Sequence, residues 1–496
     1  MASAAVVGAQ GRLIEVGPEV ALRAPVAAPV GEEKAFRPYD PDQVLLMSPV
    51  LSEWVPEGDL AHFVSDLVEE ELDLCAIYAS YESERGFPPY DPRLMVKLLI
   101  YGYANGVCSS RALERSTQRD IAVRMLCAGQ HPDYRSIARF RARHLEALSE
   151  LFVQALRLCA EAGLVKLGRL ALDGTKLRAN ASRHKAMSHG RMAKKEGELE
   201  AEIAELRVRA RALLEEAAAT DAAEDELHGA DHRGDELPAE LASRESRLAR
   251  LREAREALEA EAREREQRRR AELEAEGKTP RAPRDGRDPF APKPSDQRNF
   301  TDPESKIMKT PDGSFHQCFN AQAVVDEQAQ VIVSADASSQ APDCPQLEGA
   351  LDQLAENLQA AGLELPADAA LTADAGYFSE DNVKTAADHG LDPFIATGRH
   401  KHTDPPPIAP RGPIPKDATP RQRMARKNRT KQGQATYARR KAIVEPVFGQ
   451  MQTVQAAKHL LLRGTDAARA QWRFQCAIHN LLKLHRAGGT ALLATG

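Results

Sequence analysis

The run Gly168-Arg-Leu-Ala-Leu-Asp-Gly-Thr-Lys176 constrains the fold of this chain more than any other stretch. Leu170 and Leu172 alternate with smaller or polar neighbours, and Asp173-Gly174 stops the run. That is the pattern of a short strand ending in a turn. A carboxylate so placed is held by rigid backbone and exposed at the sheet edge, as a metal ligand has to be. An ordinary Asp-Gly turn has the same form, so partners elsewhere decide its meaning.

Ala369-Ala-Leu-Thr-Ala-Asp-Ala-Gly-Tyr377 has the same form and ends in Asp374. Before it, Phe315–Val325 and Gln330–Ala335 flank Asp326-Glu-Gln-Ala, a β-hairpin with a short turn. Pro345 to Gly362 is an amphipathic helix through Leu347, Leu351, Leu354 and Leu358. A helix over 379–388 and a strand around Pro393-Phe-Ile-Ala396 follow. A hairpin followed by helix–strand units predicts a mixed α/β sheet with flanking helices.

The rest of the 496 residues divides around this sheet. Residues 1–40 read as a flexible tail and 41–165 as a helical N-terminal domain. In Pro132–His144, Ile137, Phe140 and His144, with Leu148 and Leu151, fall at helical spacing and predict a buried face. Arg135, Arg139 and Arg143 recur every four residues on the opposite face, where they can track phosphates or simply be solvated. Residues 185–298 interrupt the sheet domain, which takes 166–184 and 299–488. One seam runs through Leu199, Ile203, Leu206, Ala210 and Leu213, a second through Leu241, Leu248, Leu251, Leu258 and Ala262. A Gly- and Pro-broken tip separates them, so the insertion reads as a coiled-coil hairpin and linker.

No run of about 18 apolar residues exists, so no membrane helix is predicted. The N-terminus lacks the basic and apolar blocks of a signal peptide. Seven scattered cysteines, none in Cys-x-x-Cys, argue against a zinc ribbon or a disulfide framework and for a reducing cytoplasm. The net charge of −6 would not by itself suggest a nucleic-acid partner. Residues 399–441, however, carry thirteen Lys and Arg against Asp404 and Asp417. Such a one-sided cluster fits a polyanion, held by a counterion-release term that salt removes. His400 and His402 within it read as solvated side chains.

The next helix completes the pattern. Ile443, Val447, Met451 and Val454 make an apolar face, leaving Lys441, Glu445, Gly449 and Gln452 on the other, with Pro446 to kink or start the helix. Three carboxylates, Asp173, Asp374 and Glu445, would then converge. Two unit charges about 4 Å apart repel by roughly 4 kcal/mol at an effective dielectric of about 20, so the site calls for cations. Hard oxygen ligands with open positions select Mg²⁺ or Mn²⁺, and two such ions clamp the oxygens of a phosphodiester displacement.

Leu172-Asp-Gly-Thr-Lys-Leu-Arg-Ala-Asn-Ala181, Asp302-Pro-Glu-Ser, Phe319-Asn-Ala-Gln-Ala-Val-Val-Asp, Ala373-Asp-Ala-Gly-Tyr and Val444-Glu-Pro-Val-Phe-Gly resemble the catalytic domain of bacterial insertion-sequence transposases of the DDE type. Tyr101-Gly-Tyr-Ala-Asn-Gly-Val-Cys-Ser-Ser-Arg and Ser136-Ile-Ala-Arg-Phe-Arg are similar to their N-terminal domain. The resemblance implies an RNase H-like fold, with Asp173, Asp374 and Glu445 as catalytic, metal-binding triad for two Mg²⁺ ions that Mn²⁺ can replace. It implies cleavage at the element's terminal repeats, strand transfer into target DNA, and a homodimer on double-stranded DNA in the cytoplasm, at the nucleoid. Lys176, Arg178, Arg439, Arg440, Lys441 and Gln452, with Arg135, Arg139 and Arg143, are the DNA-contacting residues in this reading. Many relatives carry Tyr, Arg and Lys at −7, −4 and +7 from the glutamate; those positions are Ala438, Lys441 and Gln452 here, with Tyr437 one residue off. Gln452 leaves a decayed, purely DNA-binding transposase as the alternative, and a nuclease without strand transfer as a third reading.

Overall fold

The computed structural model describes residues 50–81, 89–182, 185–228, 239–275, 277–280, 286–398, 408–415 and 417–489. The predicted tail, the tip of the insertion and the stretch with His400 and His402 lie outside them.

Seven α-helices precede the sheet in the described chain: α1 (Leu60–Asp66), α2 (Cys75–Ala79), α3 (Pro92–Ala104), α4 (Ser110–Arg119), α5 (Ile121–Leu126), α6 (Tyr134–Arg143) and α7 (Leu145–Glu161). Their starts follow from local chemistry. Asp91, Asp120 and Asp133 each accept a backbone N–H of the following first turn, and Pro92 begins α3. The apolar series Ile137, Phe140, His144, Leu148 and Leu151 is buried as predicted. It runs through two helices, because the chain breaks at His144, whose imidazole meets the Tyr81 hydroxyl at 3.1 Å.

The sheet is built from β1 (Arg169–Arg178) and, beyond β2 (Ala186–Ser188), α8 (His189–His228), α9 (Ala239–Ala275) and β3 (Gln297–Asn299), from β4 (Lys306–Lys309), β5 (Phe315–Asp326) and β6 (Ile332–Ser338). Then come α10 (Gln346–Ala361), β7 (Ala370–Ala373), α11 (Glu380–Asp388), β8 (Asp392–Ile395), α12 (Pro420–Arg429), α13 (Lys431–Thr453) and α14 (Thr465–Ala487). Strand order is β4-β5-β1-β7-β8, with β6 also on β5; β5 is antiparallel to β1, β4 and β6, while β1, β7 and β8 are parallel. This is the RNase H-like mixed sheet. Helix α14 packs along α7 and β6, so the helical block and the sheet share one hydrophobic core that includes Phe152, Leu172, Val324, Leu371, Val447 and Trp472.

The insertion leaves and re-enters through the β2–β3 pair and carries its own small seam of Met192, Leu199, Ile203, Leu248, Leu251 and Leu258. Ion pairs such as Arg244–Glu202 and Arg252–Glu196 cross between its helices. Three features differ from the sequence reading. β1 runs on past Asp173 to Arg178, paired to β5 throughout, so Asp173-Gly174 lies inside the strand and is not the terminating turn the sequence predicted. The basic stretch is helical from Pro420 onward, with Thr419 and Gln422 forming a capping box. Pro446 lies inside the 23-residue α13. Proline deprives the carbonyl four residues back of its donor; here that carbonyl, Ala442 O, accepts from Gln330 Nε2 at 2.9 Å. Among the described residues no helix is long and apolar enough to cross a membrane.

Candidate active site

Strand register brings the first two carboxylates together. Leu172 of β1 lies opposite Ala373 of parallel β7, so the next residues, Asp173 within β1 and Asp374 just past the end of β7, stand side by side. Each is fixed by backbone: Gly174 N donates to Asp173 Oδ1 at 2.9 Å, and Gly376 N to Asp374 Oδ1 at 2.8 Å. Burial raises the Asp173 pKa above the usual carboxylate value, Arg440 and the Gly174 N–H oppose the shift, and the Asp374 charge adds to it.

Helix α13 supplies the counter-charge. Arg440 is buried, and its Nη1 lies 2.8 Å from Asp173 Oδ2. Its Nε has no hydrogen-bond partner among the described residues. Tyr437, one turn earlier, faces the same carboxylates, and burial raises its pKa. Three turns beyond Arg440, Gln452 Nε2 donates to Thr175 Oγ1 at 2.8 Å, so α13 is tied to the Asp173 face of β1 at both ends. Beneath the pair lies Tyr377, fully buried, its hydroxyl donating to Gln322 Oε1. Burial and then the charges of Asp343, Asp173 and Asp374 hold that phenol well above its ordinary pKa.

Glu445 stands apart from this group. It is exposed, and at about 100° per residue it lies about 140° round α13 from Arg440. Among the described residues no three acidic, His or Cys side chains lie close enough together to hold a metal ion. The sheet-side position read from the glutamate as Lys441 is filled instead by Arg440, and Tyr437 keeps the Tyr-x-x-Arg spacing with it; Ala438 and Lys441 are exposed. Which of three consecutive basic residues turns inward depends on helix phase.

Several assigned DNA contacts have internal partners. Lys176 Nζ lies 3.0 Å from Asp343 Oδ1, Arg178 Nη2 3.1 Å from Asp312 Oδ2, and Arg439 Nη2 2.6 Å from Glu327 Oε1. Arg135, Arg139 and Arg143 are exposed on α6 as predicted, with Arg143 over the Tyr81 ring and both Arg111 and Arg135 over Tyr134. The fourth arginine of that helix, Arg141, is buried and donates to Tyr103, Cys108 and Ser110. The Asp302-Pro-Glu-Ser motif is structural here: Gly464 N and Thr465 N at the start of α14 donate to Asp302 and Glu304. Asp343 was not legible as a site residue. It sits in a loop with no periodicity to mark it.

The cation chemistry fits. Asp173 and Asp374 offer hard oxygens, and the guanidinium on Asp173 shows that the position takes positive charge.

An RNase H-like sheet with paired carboxylates on adjacent strands, one within β1 and one just past β7, behind a helical block, defines the DDE class of nucleic-acid enzyme. Residues 49–143 match the family model described as Transposase domain (DUF772), and residues 278–481 that described as Transposase DDE domain. No curated protein and no solved structure matches. The chain belongs to the DDE transposases of insertion sequences. Such domains bind DNA and in general use divalent metal ions for nuclease and transesterase chemistry.

Proposed function

We propose that this chain cleaves DNA at the ends of its own insertion sequence and joins the freed 3′ ends to target DNA. The observation that carries the reading is the Leu172–Ala373 register, which sets Asp173 beside Asp374, together with the buried Arg440 on Asp173. Asp173 and Asp374 are the residues that hold divalent ions, with Glu445 of α13 as the third carboxylate. Two Mg²⁺ ions, or Mn²⁺ in their place, supply Lewis acidity and an activated oxygen nucleophile when bound. Asp374 keeps one oxygen on Gly376 N, which fixes its carboxylate. Arg440, whose guanidinium lies on Asp173, would offer a planar fork to the phosphodiester. Gln452 holds α13 to β1 through Thr175 where many relatives carry a phosphate-binding lysine.

The duplex is held by Arg135, Arg139 and Arg143 of α6 and by the basic face of α12 and early α13, with Lys441 exposed beside Glu445. A homodimer would bring two element ends together, in the cytoplasm at the nucleoid. We assign residues 1–40 as a tail, 41–165 as the DNA-binding block, 166–184 with 299–488 as the catalytic domain and 185–298 as an arm without chemistry.

The test is cleavage of labelled duplex carrying the element's terminal sequences, in Mg²⁺, Mn²⁺ or EDTA, with wild type beside Glu445→Ala. Metal-dependent nicking at the ends that the variant lacks supports the reading. Gln452 and the outlying Glu445 favour a second reading, a decayed transposase that only binds DNA. Tight binding without cleavage in either protein would establish that one.

A further inference from the structure

The strongest unassigned cluster lies on the sheet face opposite Asp173. Across the β1–β5 ladder, Gln322 opposes Gly174 and Asn320 opposes Lys176. Paired residues of an antiparallel ladder share a face, so these side chains point away from the one that meets Arg440 and Gln452. On that far face one carboxylate oxygen gathers them all. Asp343 Oδ1, in the loop between β6 and α10, accepts from Asn320 Nδ2 at 2.8 Å, Lys176 Nζ at 3.0 Å and Gln322 Nε2 at 3.4 Å. Gln322 Nε2 also donates to Asn320 Oδ1 at 2.9 Å, and Gln322 Oε1 takes the Tyr377 hydroxyl.

The network therefore ends on the loop that bears Asp374. Gly376 of that loop shows how closely the parts are seated. A Cβ there would lie 3.0 Å from Asp374 Oδ1 and 3.5 Å from Asp343 Oδ2. Gly174 is under the same constraint, since its Cβ would meet Gln322 Nε2 at 2.6 Å. Both glycines leave room for the chain of hydrogen bonds to run under Asp173 and Asp374.

We propose that Asp343 is a positioning residue of the transposase site. Through Gln322 and Tyr377 it fixes the loop that carries Asp374, and through Lys176 it holds the continuation of β1 beyond Asp173. It thereby sets the spacing of the two ion-holding carboxylates without touching substrate. This rests on the assignment of Asp173 and Asp374 as the ion-holding pair.

The test is calorimetric titration of the full-length protein with Mn²⁺ in the absence of DNA. Wild type, Asp343→Asn, Tyr377→Phe and the double variant are compared, each with its melting temperature. Asparagine keeps the shape and an acceptor but loses the charge that gathers three donors, and phenylalanine cuts the same network at its other end. Loss of such outer support costs about 10-fold or more in metal affinity. The expected result is Mn²⁺ affinity about 10-fold weaker in each single variant, with the double no worse than the weaker single, and melting close to wild type. Wild-type Mn²⁺ affinity in Asp343→Asn overturns the proposal. So does a loss confined to Asp343→Asn with Tyr377→Phe unaffected. Wild-type protein that takes up no Mn²⁺ is a different failure: it removes the Asp173–Asp374 assignment itself, and the proposal with it.

Discussion

Removing the guanidinium from Asp173 has a consequence that can be sized. Arg440 Nη1 and Asp173 Oδ2 are 2.8 Å apart, with the Arg side chain 10% and the Asp side chain 22% exposed. Deleting one partner of a buried ion pair costs about 3–5 kcal/mol, because the other charge is left without compensation. The water that reaches Asp173 puts Arg440→Gln at the lower end, about 3 kcal/mol. For a folded unit the size of Val50–Gly496, the unfolding entropy converts this to a melting temperature about 3 °C lower. The sign with pH is set by Asp173. Its folded pKa is already raised above 3.8 by burial, and the arginine charge that opposes this is gone in the variant. A carboxylate with a raised folded pKa leaves stability intact below its unfolded value and removes it as pH climbs through the folded one. The deficit therefore grows from acid to neutral pH. Mg²⁺ at about 100 times its Kd adds about 2.7 kcal/mol and should restore most of the loss. Thermal melts in EDTA and in Mg²⁺, across pH, read all of this. A variant that melts with wild type at neutral pH in EDTA, or whose deficit grows toward acid, would refute the reasoning.

Other positions give independent checks. Gly174→Ala drives a methyl into Gln322, itself held by Asn320 and Tyr377, and should cost about 1–3 kcal/mol in chemical denaturation; an unchanged midpoint would show that Gln322 moves freely. Burial depresses the His479 pKa from 6.5 to about 3, so the folded state resists protonation that the unfolded chain accepts. Stability should be full above 6.5 and fall with pH through the window down to about 3, and His479→Gln should flatten that part of the pH–stability curve. Arg135→Glu with Arg139→Glu should weaken DNA binding and reduce the slope of log K against log salt by about 2; unchanged affinity would take α6 out of the DNA surface.

Asp173 and Asp374 were readable as candidates because each interrupts an apolar run with Asp-Gly or Asp-x-Gly, but the turn expected at Asp173-Gly174 does not form, since pairing with β5 carries β1 on to Arg178. The mixed sheet with flanking helices follows once a hairpin and two helix–strand units are recognised. The hairpin insertion was readable from its leucine seams. What depended on three-dimensional phase was not. Arg439, Arg440 and Lys441 are equivalent in sequence, and only the packing of Thr436, Val444 and Val447 decides that Arg440 turns toward Asp173. The break at His144 has no glycine or proline to announce it. Asp343 reaches the site network from a loop, by contacts with strand residues more than twenty positions away, and no local pattern encodes such a meeting.

The central claim is that Asp173 and Asp374 do the chemistry while other surfaces hold the DNA. Its most direct test is Asp374→Ala, assayed side by side for nicking and for binding of duplex carrying the element's ends. The account predicts that nicking disappears while the dissociation constant stays within about twofold, because removing one site carboxylate leaves the basic helices untouched. Equal loss of cleavage and binding would contradict it, as would cleavage that survives without Asp374.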